Sequence, residues 1–185
     1  MTTWFTSDHH FGHKNIILYQ NRPFKDVVEM DEVMIRRWNE CVRPGDQVYH
    51  LGDFAFARET EGVEAYVKRL AGQIHLILGN HDHHQTRKAQ GFAEMTRYKE
   101  LQVGDQTIVL SHYAMQTWNK MHRGSWQLHG HSHGNLKKNF DLRRIDVGVD
   151  PWGFRPISFE EVGDAMKAYR FVPVDHHGTQ EEKES

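Results

Sequence analysis

Asp8 with His10, Asp53, the tetrapeptide Gly79-Asn80-His81-Asp82, His112, and His131 with His133 are the residues whose types and spacing could do chemistry together. Carboxylates, imidazoles and an amide carbonyl are the oxygen and nitrogen donors that hold first-row divalent cations. Asp8 and His10 are two apart, as are His131 and His133, and residues two apart on an extended backbone face the same side. Each pair is therefore expected to reach one ion together, with His9 pointing away. In the tetrapeptide, Asn80 supplies a neutral oxygen ligand and His81 a proton carrier. Asp82 supplies either a group that orients that imidazole, the reading adopted here, or a cap for the turn. Seven donors (Asp8, His10, Asp53, Asn80, His112, His131 and His133) are too many for one small cation. Two ions roughly 3.5 to 4 Å apart, sharing one carboxylate, would use them all.

Such residues meet only if the chain brings them to one edge, and each cluster of them ends its own apolar run. Thr3 to Ser7 opens into Asp8-His9-His10; Gln47 to Leu51 ends in Gly52-Asp53; Ile74 to Leu78 ends in Gly79-Asn80. Thr107 to Leu110 delivers Ser111-His112, and Trp126 to His129 leads into Gly130-His131-Ser132-His133-Gly134. These short runs, with Ile145 to Val149, predict strands, and α/β folds place ligands at strand ends. Gly104-Asp105 between Leu101–Val103 and Thr107–Leu110 predicts a hairpin. Val27, Met30, Val33, Met34 and Trp38 recur at three and four, predicting an amphipathic helix over 27–42, with Arg36, Arg37 and Glu40 on its wet face. Val63, Tyr66, Val67 and Leu70 predict another over 61–71, and a short helical stretch follows His83-His84 and stops at Gly91. Ser158 with Glu161 forms a capping box for a helix running to about Tyr169. Asn15 to Lys25, with Pro23 and no period, reads as a surface loop near the site. No repeat or linker appears, so one domain over 1–174 followed by a polar tail over 175–185 is expected.

Composition narrows the possibilities. The 185 residues are long enough to bury a core without staples, and 38% hydrophobic with 26% charged residues is ordinary for a globular chain. A formal charge of -2 gives no bulk attraction to nucleic acid or anionic membrane. A single cysteine, Cys41, rules out an internal disulfide and a thiolate zinc cluster. With no basic, apolar leader and no run long enough to span a bilayer, a reducing, cytoplasmic setting is the expectation.

In order along the chain, Asp8-x-His10, Gly52-Asp53, Gly79-Asn80-His81-Asp82, His112 and Gly130-His131-x-His133 resemble the five blocks of the calcineurin-like metallophosphoesterase family. The resemblance covers about Thr3 to Val149 and is nearest to the small bacterial and phage members. It implies an α/β sandwich of two mixed β-sheets flanked by helices. It implies that Asp8, His10, Asp53 and His133 hold one metal, that Asp53, Asn80, His112 and His131 hold the other, and that His81 binds no metal but faces the leaving group.

The expected activity is hydrolysis of phosphate esters by a hydroxide bridging the two ions. Two divalent ions, two carboxylates and one hydroxide leave a net charge of about +1, which attracts phosphate, and an amide at Asn80 preserves it. Imidazole and carboxylate suit manganese, iron, zinc or nickel, manganese being expected. The expected substrate is a small phosphate ester or nucleotide. Diesters are preferred over monoesters because no further basic cluster stands ready to clamp a dianionic phosphate. The alternatives are a phosphomonoesterase or nuclease on the same site, or a nonenzymatic metal-binding scaffold. His13, Arg22, Asn119, His122 and Arg123 are either substrate contacts or surface residues. The basic stretch Lys137, Lys138, Arg143 and Arg144 is either a solvated hairpin tip or a contact for distal phosphates.

Overall fold

The computed structural model describes residues 1–170; the domain end at 174 and the tail over 175–185 lie outside the described residues. Five strands form one mixed sheet in the order β4-β3-β2-β1-β9. Within it β1 (Thr3–Thr6), β2 (Gln47–His50), β3 (Gln73–Ile77) and β4 (Glu94–Thr96) run parallel, while β9 (Ile157–Ser158) is antiparallel to β1. The second sheet has the order β5-β6-β7-β8. The expected hairpin joins β5 (Tyr98–Val103) to β6 (Gln106–Ser111), and β7 (Trp126–His129) and β8 (Arg144–Asp146) continue in parallel.

Period-two alternation splits each strand's apolar residues between two cores. Phe5, Tyr49, Leu51 and Ile77 of the first sheet meet Ile108, Leu110, Leu128 and Ile145 of the second, joined by Val162 and Met166 of α5 (Phe159–Met166). Val48, Ile74 and Leu76 face the other way, onto Met30, Met34, Ile35 and Trp38 of α2 (Val27–Cys41) and Val63 and Val67 of α3 (Thr60–Val67). The result is the expected sandwich of two mixed sheets flanked by helices. A third cluster, Val109 with Trp118, Met121 and Leu142, covers the outer face of β6.

Local signals explain several boundaries. Asp26 caps α2 by accepting the Glu29 N–H at 2.8 Å. The Ser158–Glu161 capping box forms at the start of α5, which ends at Met166, before Tyr169. The 15–25 segment is not all loop: Ile16–Tyr19 makes one turn of helix, α1, with Ile16 buried. A five-residue helix, α4 (His84–Lys88), follows the tetrapeptide. No helix among the described residues is long and apolar enough to cross a membrane.

Candidate metal centre

The loops that leave β1, β2 and β7 carry five of the expected donors, and all five adopt left-handed backbone: Asp8 (φ 57°), His10 (52°), Asp53 (57°), His131 (65°) and His133 (48°). The two-apart pairs therefore do not lie on the expected extended backbone. The side chains converge because the backbone coils back at each donor, not because a strand alternates. Asp and His enter this region more readily than most residues, and strain of about 1–3 kcal/mol per residue concentrates at functional sites. The coil is held by a ladder between loops, in which Asp8, His10 and Phe11 N–H donate to the carbonyls of Gly52, Asp53 and Phe54, each at 3.0 Å.

Two clusters result, Asp8–His10–His133 and Asp53–His112–His131, the donor atoms within each lying within 4.8 Å of one another. The two-apart histidines therefore divide between clusters, whereas Asp8 and His10 stay together. One oxygen joins the halves: Asp53 Oδ2 lies 3.5 Å from His10 Nε2 and 3.5 Å from His112 Nε2. Asn80 Oδ1, 3.0 Å from His112 Nε2, belongs with the second cluster. All seven donors foreseen in the sequence thus border one cleft.

The protein orients the imidazoles from behind. His112 Nδ1 donates to the Leu51 carbonyl at 2.7 Å, and His133 Nδ1 donates to Asp150 Oδ2 at 2.7 Å. Each Nε2 is left with a lone pair aimed into the cleft, as cation-binding histidines require. Burial, then the Asp53 and Asp146 carboxylates, push the Asp8 carboxyl well above its ordinary range. Burial, then the His133 ring and Arg22, hold His10 well below the usual histidine value. Asp8 Oδ1 and His10 Nε2 are buried without a hydrogen-bond partner among the described residues. Orphaned buried polar atoms are costly, and divalent cations are the group that this set of lone pairs fits.

His81 lies at the same cleft. Its main-chain N–H donates to Asp53 Oδ1 at 2.8 Å, and its ring is 5.3 Å from the His10 ring. Asp82 does not orient it. The Asp82 carboxylate is fully buried and accepts three main-chain N–H groups, from Gly79 (2.7 Å), Asp53 (2.8 Å) and Phe54 (3.0 Å). It therefore laces the loop after β3 to the loop after β2, which is the capping alternative on a larger scale. The approach is close: a Cβ on Gly79 would collide with Asp53 Oδ1, and one on Gly130 with the Ser7 side chain.

Three further residues hold the site without having been foreseen in that role. Arg22, expected from the sequence to be a substrate contact or a surface residue, is buried and paired with Asp150. Asp31, on the buried side of α2, accepts the Gly12 N–H at 3.2 Å and the Tyr66 hydroxyl at 2.8 Å, fixing the turn after His10. Asp150 had no sequence signal beyond its place a few residues after β8. Among the other candidates, Asn119 is bound to the Glu100 carboxylate at 2.9 Å. Arg123 shares a hollow with Asp105 and Gln106 at the start of β6, the opposite end of that strand from His112. His13 does adjoin the cleft, its ring 5.5 Å from His10. Three residues of the basic stretch share another place: Lys137, Lys138 and Arg144 line a cavity of about 470 Å³ with Phe140, Trp152 and Tyr169, bordered by none of the seven donors, and Arg144 also donates to the Met115 carbonyl at 2.6 Å.

Comparison with known proteins agrees with this geometry. Residues 1–148 match the calcineurin-like phosphoesterase superfamily domain. The uncharacterized protein MJ1445 of Methanocaldococcus jannaschii is 31% identical over 163 residues, 85% of this chain and 86% of that protein. The gene 66 protein of Mycobacterium phage L5 is 30% identical over 195 residues, covering 89% and 93%. The crystal structure of AQ665, a protein of unknown function from Aquifex aeolicus, superposes with a TM-score of 0.73 at 27% identity, covering 89% of this chain and 98% of that one. With the family match spanning four-fifths of its length and two donor clusters at the strand ends, the chain belongs to the calcineurin-like phosphoesterase superfamily and is a metal-dependent phosphoesterase.

Proposed function

We propose that this enzyme hydrolyses small phosphodiesters, nucleotide-like ones among them, with two divalent cations. Asp8, His10, Asp53 and His133 hold one, and Asp53, Asn80, His112 and His131 hold the other. The observation that carries this reading is the single Asp53 oxygen 3.5 Å from a histidine of each cluster. Bound there, two cations would draw charge from the phosphoryl oxygens and make water acidic enough to attack phosphorus near neutral pH.

The chain's own residues set the rest. Asp53 Oδ1, by accepting the His81 N–H, places that imidazole at the cleft, where it protonates the departing oxygen. The buried ladder and the Asp82 lacing fix both loops before substrate arrives, so little reorganisation is needed in the transition state. Diester preference is supported by the fate of the candidate cations, since Arg22 is buried on Asp150 and Arg123 stands at the far end of β6. Aromatic rings flank the cleft instead. Tyr113, 52% exposed, lies 4.7 Å from the His131 ring, and Phe56, 51% exposed, stacks on His13 at 4.6 Å. Such rings suit the aryl or base portion of a diester. Manganese is the proposed metal, since the donor set is imidazole, carboxylate and amide with no thiolate.

The test is a substrate panel with manganese-loaded protein: bis-nitrophenyl phosphate, nitrophenyl phosphate, cyclic nucleotides and dinucleotides. The expected result is kcat/KM at least tenfold higher on diesters than on monoesters. A reversed order overturns the diester assignment, and failure on every ester brings the nonenzymatic scaffold forward.

A further inference from the structure

We propose that Arg22 and Asp150 are positioning residues for one cation site: Asp150 sets the tautomer and aim of His133, and Arg22 locks Asp150 to the backbone that carries Asp8. This rests on the two-cation reading above. A carboxylate only accepts, so the 2.7 Å contact to Asp150 Oδ2 keeps the proton on His133 Nδ1. Nε2 then keeps its lone pair, 3.9 Å from Asp8 Oδ1.

Arg22 makes that contact rigid. Its Nε and Nη2 donate to the two Asp150 oxygens at 2.8 and 2.9 Å, Nη2 also to the Asp8 carbonyl at 2.7 Å, and Nη1 to the His9 carbonyl at 2.9 Å. The guanidinium thus grips the backbone at the left-handed turn of Asp8 and, through Asp150, a histidine on the loop after β7. Its side chain is fully buried. A buried ion pair is a poor source of stability compared with apolar packing, so its occurrence here points to placement of the groups it touches. Lysine could not substitute, having neither the planar fork nor enough donors. The other cluster is arranged differently: His112 is anchored on a carbonyl and His131 is exposed. The pair's direct contacts therefore fall on the Asp8–His10–His133 side.

The experiment uses metal-free protein, titrated with manganese by calorimetry, for the wild type, Asp150→Asn and Arg22→Lys, with ¹⁵N spectra of the histidine rings beforehand. The expected result is two ions in the wild type, with one binding event weakened about 10- to 100-fold in either variant and the other left within about twofold. His133 in the metal-free wild type should show the Nδ1–H tautomer and drift toward a mixture in Asp150→Asn. Equal weakening of both events together with a fall in Tm would mean a structural role only, and unchanged binding would also overturn the proposal. Fewer than two ions in the wild type would sink the two-cation reading instead, and the tautomer would still decide the pair's role. If neither variant folds, an Nε2–H tautomer in wild-type His133 refutes the proposal.

Discussion

Replacing Asp82 separates two accounts of the tetrapeptide. Its carboxylate accepts N–H groups from Gly79, Asp53 and Phe54, two of them on one oxygen. In Asp82→Asn the amide oxygen can serve the Gly79 and Asp53 donors, but its NH₂ then faces the Phe54 N–H. One buried donor is left unmet and a charged acceptor becomes neutral, a cost of about 1–3 kcal/mol. For a chain of this size that lowers Tm by roughly 2–12 °C. Asp82→Ala strands all three donors and should cost about 3–9 kcal/mol. Because the Asp53 loop is what moves, catalysis should suffer by up to roughly 10²-fold. The loss should be the same on esters with acidic and basic leaving groups, since Asp82 has no hand in the proton delivered by His81. The assay is kcat/KM over a series of esters of rising leaving-group pKa, alongside thermal denaturation. A loss confined to alkyl and ribose esters with an unchanged Tm would refute the lacing role and restore the orienting one.

Other outcomes follow from the same geometry. His81→Ala should keep both cations and lose about 10²- to 10⁴-fold on alkyl or ribose esters while retaining much of its rate on nitrophenyl esters; equal loss on both, with the metals still bound, would contradict the leaving-group role. Buried His50 is held down to about 3, first by burial and then by His112, from an ordinary value of 6.5. Below that ordinary value the unfolded chain takes up a proton the folded chain refuses. His50's own contribution to stability should therefore fall by about 1.4 kcal/mol per unit as pH drops from 6.5 toward 3. Urea unfolding of metal-free protein at pH 7 and pH 5 should show a shallower loss in His50→Gln than in the wild type, and identical slopes would argue against the assignment.

How much could be read beforehand depended on the range of the signal. The seven donors were legible because they fall in five clusters that each follow an apolar run, and the core stripes of α2 and α3 because their period is local. The strands β4 and β9 were not foreseen. Glu94–Thr96 and Ile157–Ser158 are too short to alternate, and they exist because β3 and β1 offer unpaired edges. Arg22 and Asp150 are 128 positions apart, and nothing local marks a charge that will be buried against its partner. Asp31 was hidden by lying next to the apolar stripe of α2. The left-handed donors show the limit most clearly. Strand-like spacing led to the right residues by an argument the backbone does not follow, because the turn is imposed by the facing loop.

The central claim is that Asp53 joins two cations, and the most direct test is electron paramagnetic resonance of manganese-saturated protein with metal analysis on the same sample. The expected result is two ions per chain with the spectrum of an exchange-coupled pair, lost together with one or both ions in Asp53→Ala. Two magnetically isolated ions, or fewer than two under saturating supply, would contradict it.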